Sequence, residues 1–173
     1  MTDMTIHDPR LWPHDDAIRR VGEGFLALTL PRPEWTHEAH ISTTCWLLLE
    51  RPDILPERDL PGLIRGYNES VGGVNDATQG YHETITQLFV RGVRLSLANS
   101  EGQGGLADRV NFLLLSPQGR RDWPLGFYSR ERLFSVEARM GWVEPDLAFL
   151  PAINSGVSNA TTVCKCPTSM VKG

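Results

Sequence analysis

A chain of 173 residues with 40% hydrophobic and 22% charged residues has the size and balance of one globular domain, which excludes a fibrous or wholly disordered protein. A net charge of -4 gives no electrostatic attraction to nucleic acid or anionic lipid. No apolar run approaches the roughly 20 residues that span a bilayer. The start, Met1 to Asp8, has neither a basic cluster nor an apolar stretch of the secretory kind, so a cytoplasmic location is expected.

In chain order, residues 1–13 carry two prolines without a period and read as a surface arm. The first predicted helix runs from Asp15 to Leu28, with Ile18, Val21, Phe25 and Leu28 at helical spacing and Asp15 and Asp16 favouring its positive end. Gly22 and Gly24 in this helix point to close packing, and Pro31 and Pro33 are expected to stop it. The second helix spans Thr36 to Glu50, with Thr36 as N-cap; it is apolar on most sides and therefore central. The third covers Glu57 to Val71 and ends at Gly72-Gly73. After a loop holding Asn75 and Asp76, with Asp76 or Thr78 as the expected cap, the fourth helix extends from Gly80 to Asn99. A glycine-rich connector leads to a fifth helix from Leu106 to Leu115. Beyond it, Tyr128–Ser135 reads as a short helix and Glu144–Leu147 as a turn. The expectation is an all-α, single-domain bundle of four to five helices over residues 1–151, with an irregular C-terminal segment and a disordered polar tail over 152–173.

Cys45 falls in an apolar helical stretch and reads as a small buried hydrophobe. Cys164-Lys165-Cys166, with no further Cys or His nearby, is read as incidental.

Three of the five histidines lie near predicted helix starts. His37 and His40, three residues apart, share a helix face, a spacing that suits two imidazoles on one ion. Short connections make consecutive helices antiparallel, so the second and fourth helices should begin at the same end and bring His82 to the same place. The positive end of a helix disfavours imidazolium and keeps histidine in its metal-binding form. His37, His40 and His82 are therefore candidate ligands for a divalent transition metal, with zinc, iron and copper all open. Glu38 and Glu83 are candidate acid/base groups or further ligands. Tyr67, Asn68 and Asn75 would line a substrate pocket, and Arg130 would clamp an anionic group.

Each residue also has a structural explanation. His37-Glu38-Ala39-His40 is one residue short of the metalloprotease motif. Acids in the first turn of a helix, such as Glu38 and Glu83, stabilise it. Asn75-Asp76 is ordinary turn chemistry, and Arg130 suits a solvated helix face.

The stretches Trp35-Thr36-His37-Glu38-Ala39-His40, Tyr67-Asn68-Glu69 and Gly80-Tyr81-His82-Glu83-Thr84, together with Tyr128–Ser135, resemble those of a group of small bacterial proteins of uncharacterised function. The resemblance covers roughly residues 15–151; it implies one domain and no particular mechanism.

Two functions follow as expectations. The first is a metal-dependent enzyme acting on a small-molecule substrate, with the ion held by the histidine cluster. The alternative is a non-catalytic helical binding or interaction module, in which the histidines cap helices and bond loops and apolar surface near Trp35 and Trp123 meets a partner.

Overall fold

The computed structural model describes residues 8–100 and 104–153. It is all-helical, with no strand among the described residues. The order is α1 (Asp15–Leu26), a 3-10 turn (Arg32–Glu34), α2 (His37–Glu50), α3 (Pro56–Ser70), α4 (Glu83–Asn99), α5 (Leu106–Leu115), two further 3-10 turns (Pro117–Gly119 and Trp123–Gly126), α6 (Arg130–Leu133) and α7 (Val136–Met140). The expected tail lies outside the described residues from position 154 onward, as do Cys164 and Cys166.

Helix α2 is the central rod. Ile41 to Leu47 are all buried, as expected for a helix apolar on every side. It packs on α1, α4 and α5, and more lightly on α3. Thr36 caps it by accepting the Ala39 N–H at 3.3 Å. Gly22 lets α1 approach α2 closely, because a Cβ there would lie 2.3 Å from the Trp46 ring.

Helix α1 ends at Leu26, two residues short of the expected boundary and well before Pro31. Leu28 adopts φ +59°, and the N–H groups of Thr29 and Leu28 bond back to the carbonyls of Gly24 and Phe25. This is a Schellman turn with leucine in the left-handed position that glycine normally takes. The cap of α1 is His14, whose Nδ1 accepts the Ala17 N–H.

Helix α3 runs through Pro61. Proline has no N–H for the carbonyl four residues back, which is that of Glu57. The Gln87 amide of α4 supplies the missing donor to the Glu57 carbonyl at 2.9 Å. At its other end α3 closes in a Schellman turn, with Gly72 at φ +77° and the Gly73 N–H on the Asn68 carbonyl.

Helix α4 begins at Glu83 rather than at Gly80. Gly80 has φ +77° and folds tightly against Val74 and Asn75, so residues 80–82 belong to the loop. The cap is His82, not Asp76 or Thr78. Arg65 of α3 lies over the Tyr81 ring at 4.3 Å, while Glu57 at the start of α3 pairs with Arg94 well along α4. The two helices are therefore antiparallel.

The C-terminal segment is more ordered than its irregular sequence implies. Short α6 and α7 carry serine caps, Ser129 and Ser135. Leu133, Ala138, Val143 and Tyr128 bury a second core against Leu88 of α4. Thr84 clamps the strand-like run 141–143, donating to the Gly141 carbonyl and accepting the Val143 N–H. At the other end of the chain, Asn111 of α5 holds Trp12 by both its N–H and its carbonyl.

Candidate functional site

The cavities that bear on function surround the start of α2. One of them, about 550 Å³, is a polar cleft between the 3-10 turn and the end of α3. Arg32, Trp35, Tyr67, Asn68, Gln79 and the glycines of both turns line it. Its two aromatic side chains are held in place. Trp35 stacks on Phe25 with centroids 4.2 Å apart and lies against the His40 ring at 4.0 Å. Tyr67 donates its hydroxyl to the Leu30 carbonyl at 3.0 Å.

Asn75 organises the floor of this cleft without lining it. Its side-chain oxygen accepts from the Asn68 amide and from the Tyr81 N–H, and its amide nitrogen reaches the Arg65 carbonyl. Asp76 gathers the Thr78 N–H and hydroxyl and the Gln79 N–H and amide, and these donors hold its carboxyl down at about 2. The loop is thus a closed hydrogen-bonded unit, built where the sequence shows only turn residues.

The histidines divide into three roles. His82 is buried, and its Nδ1 accepts the Ile85 N–H. The neutral ring must then carry its proton on Nε2, which donates to the Leu133 carbonyl at 3.0 Å, 51 residues away. Both nitrogens are committed. Burial, reinforced by Arg139, pushes His82 down to about 4.

His37 donates from Nε2 to the Gly119 carbonyl at 2.7 Å, which leaves Nδ1 as its bare nitrogen. Burial, with Arg121 nearby, lowers its pKa against the pull of that carbonyl. His40 makes no ring hydrogen bond to a described residue, and neither of its nitrogens is among the sealed, unpartnered polar atoms. Burial, aided by His37, pushes it down to about 3. His37 and His40 share a cavity of about 110 Å³ with Thr44, Thr86, Phe89 and four aliphatic residues.

His82 does not line that cavity, and its hydrogen bonds explain why. The His37 ring packs edge-on against Phe89, 5.1 Å between centroids. The start of α2 faces the first two turns of α4, with Ile85 and Thr86 lining the cavity beside Phe89. The His82 ring is spent on the Ile85 N–H and the Leu133 carbonyl instead. Among the described residues no group of three or more His, Cys, Asp or Glu is arranged to hold a metal ion.

The carboxylates also separate. Glu38 lines a different cleft of about 200 Å³ with Trp12, Arg20 and Glu34. Burial raises its pKa, but its own N–H, the Thr36 hydroxyl and Arg121 outweigh that and hold it below the usual value. Glu83 is tied by the Tyr81 hydroxyl at 2.8 Å and the Gln87 amide at 2.9 Å. Arg130 stands exposed at the start of α6 and lines none of these cavities. Trp123 packs on Phe89 and Phe127 and above Gly92, so it presents a partly covered ring rather than a free apolar face.

Sequence reasoning placed Tyr67 and Asn68 at a pocket but missed Arg32, Trp35 and Gln79. The signal available was the Gly72-Gly73 and Gly80 pair, which marks two tight turns bracketing one loop. Comparison of the chain with family models, curated proteins and solved structures finds no match. No helix among the described residues is long and apolar enough to cross a membrane.

Proposed function

We propose that the protein is a non-catalytic helical module that binds a small polar molecule in the cleft of Arg32, Trp35, Tyr67, Asn68 and Gln79. One observation carries this reading: the cleft, about 550 Å³, has the volume of a ligand site and walls already held by stacking and hydrogen bonds. The histidines support it from the other side. His82 and His37 spend ring nitrogens on carbonyls 51 and 82 residues away, which is the work of structural ties.

Val74 lines the cleft and is 54% exposed, so Val74→Trp fills the space without entering the core. Ligand-observed NMR with mixtures of amino acids, hydroxy acids, sugars and nucleosides tests the reading. Binding is expected with the wild type and lost in Val74→Trp; if no compound distinguishes the two proteins, the reading falls.

A metal-dependent enzyme is the second reading, and one observation favours it. His37 donates one ring nitrogen to a backbone carbonyl, the arrangement that orients a metal-bound imidazole, and it lines the same cavity as His40, whose ring has no hydrogen-bond partner among the described residues. Zinc, iron or copper would take a nitrogen from each of those two rings, with Thr44 or Thr86 beside them. Metal analysis of untagged, reconstituted protein decides it: one equivalent, lost in His40→Ala, supports this reading, and less than a tenth of an equivalent removes it.

A further inference from the structure

The polar cleft contains one cationic side chain and no carboxylate among its lining residues. The Arg32 guanidinium makes no hydrogen bond or ion pair with another described residue, although Glu34 two positions on is paired with Arg20. A guanidinium in that state is a ready bidentate partner for a carboxylate. Two other lining residues have the opposite character. Asn68 gives its amide nitrogen to Asn75 and Gln79 gives its own to Asp76, so each side-chain oxygen is left as an acceptor. Those two residues stand beside the C-terminus of α3, the 15-residue helix Pro56–Ser70, whose dipole presents partial negative charge. One cleft thus holds a group for an anion and acceptors for a cation. Val71, Val74 and the Trp35 ring line it as well and offer an apolar surface for a side chain.

Resting on the reading that this cleft is the binding site, we propose that its ligand is a zwitterion of the free amino acid class, with its carboxylate on Arg32 and its ammonium on the Asn68 and Gln79 oxygens. The matched probes are L-leucine, 4-methylpentanoate, which lacks the amine, and 3-methylbutylamine, which lacks the carboxylate. L-glutamine and its two counterparts form a second set with a polar side chain.

Titrations of the full 15N-labelled chain, following the Asn68 and Gln79 side-chain amide signals, give the dissociation constants. The expected result is at least one amino acid that binds tenfold or more tightly than both of its halves. Arg32→Gln, at an exposed position, should weaken it at least tenfold without changing the melting temperature. Halves that bind as well as the whole, or an Arg32→Gln protein that binds normally, overturn the zwitterion assignment. If another compound then binds the wild type but not Val74→Trp, the cleft survives as the site with a different ligand. If nothing in either set, nor in the wider mixtures, is sensitive to Val74→Trp, both the assignment and the cleft reading are refuted.

Discussion

Replacing His82 with alanine removes two hydrogen bonds at once and separates the structural from the metal-binding account. The first loss is the N-cap of α4, where Nδ1 accepts the Ile85 N–H at 3.3 Å; such caps contribute about 1 kcal/mol. The second is the bond to the Leu133 carbonyl at 3.0 Å, in the second core, where Leu133 is fully buried. Leaving a buried carbonyl unpaired costs about 1–3 kcal/mol. The expected loss is therefore about 2–4 kcal/mol, seen in urea as a lower midpoint with an unchanged slope. His82→Asn restores the cap but its shorter side chain falls short of Leu133, so it should recover about 1 kcal/mol of that loss. Equilibrium unfolding of the three proteins with and without a chelator is the assay. A His82→Ala protein within about 0.5 kcal/mol of wild type would refute the reasoning, because surface substitutions without a structural role fall in that range. A chelator that destabilises only the wild type would instead point to a bound ion.

The remaining predictions follow from other local features. His37, His40 and His82 are held neutral, with folded pKa values below the ordinary 6.5 and near 3 for His40 and 4 for His82. Below pH 6.5 the unfolded chain takes up protons that the folded chain refuses, so stability falls with pH, by about 2 kcal/mol each for His40 and His82 by pH 5. Urea midpoints that stay flat from pH 7 to 5 would contradict this. Leu28→Gly should stabilise by about 0.5 kcal/mol, because φ +59° costs leucine about 1–2 kcal/mol and its side chain, 48% exposed, gives part of that back through burial; a lower melting temperature would show that burial wins. Thr43→Val replaces a buried hydroxyl that has no partner with a methyl of the same shape, and should raise stability by about 1 kcal/mol in the same unfolding assay; a loss of stability there would mean the hydroxyl is satisfied in solution.

The helices were legible because their apolar periods are strong. Leu106–Leu115 lies where the pattern puts it, and α2 begins one residue after its threonine cap. The boundaries that differ were set by residues acting outside their usual roles. Leucine takes the left-handed turn after α1, and histidine caps α1 and α4 in place of the aspartates and threonines that local rules favour. The C-terminal segment was illegible for another reason. Its order comes from long-range bonds, such as the Tyr128 hydroxyl to the Val143 carbonyl and Arg91 to the Pro151 carbonyl, and these leave no period in the sequence.

The site was legible in part, and the part that failed turns on one quantity. Spacing along one helix is a local property, so His37 and His40 do share a cavity. Bringing His82 to them required its ring to face the same cavity as well as the helices to share a direction, and connection lengths constrain only direction. The facing is set by packing and long-range bonds. Phe89 fills the space against His37, and Gly92 gives room for the Trp123 ring against the same helix. Together with the bond from His37 to Gly119 in the Pro117–Gly119 turn, this seats the start of α2 against the first two turns of α4, where Ile85, Thr86 and Phe89 line the histidine cavity. The His82 ring is taken up by the Leu133 carbonyl, a buried acceptor that needs a donor. The same seating places Trp35 between Phe25 and His40. His40 thus lines the histidine cavity while its stacking partner Trp35, with Tyr67, lines the polar cleft, so one aromatic stack joins the two sites. A ligand that reorders Trp35 in the cleft would therefore be felt at the His40 ring.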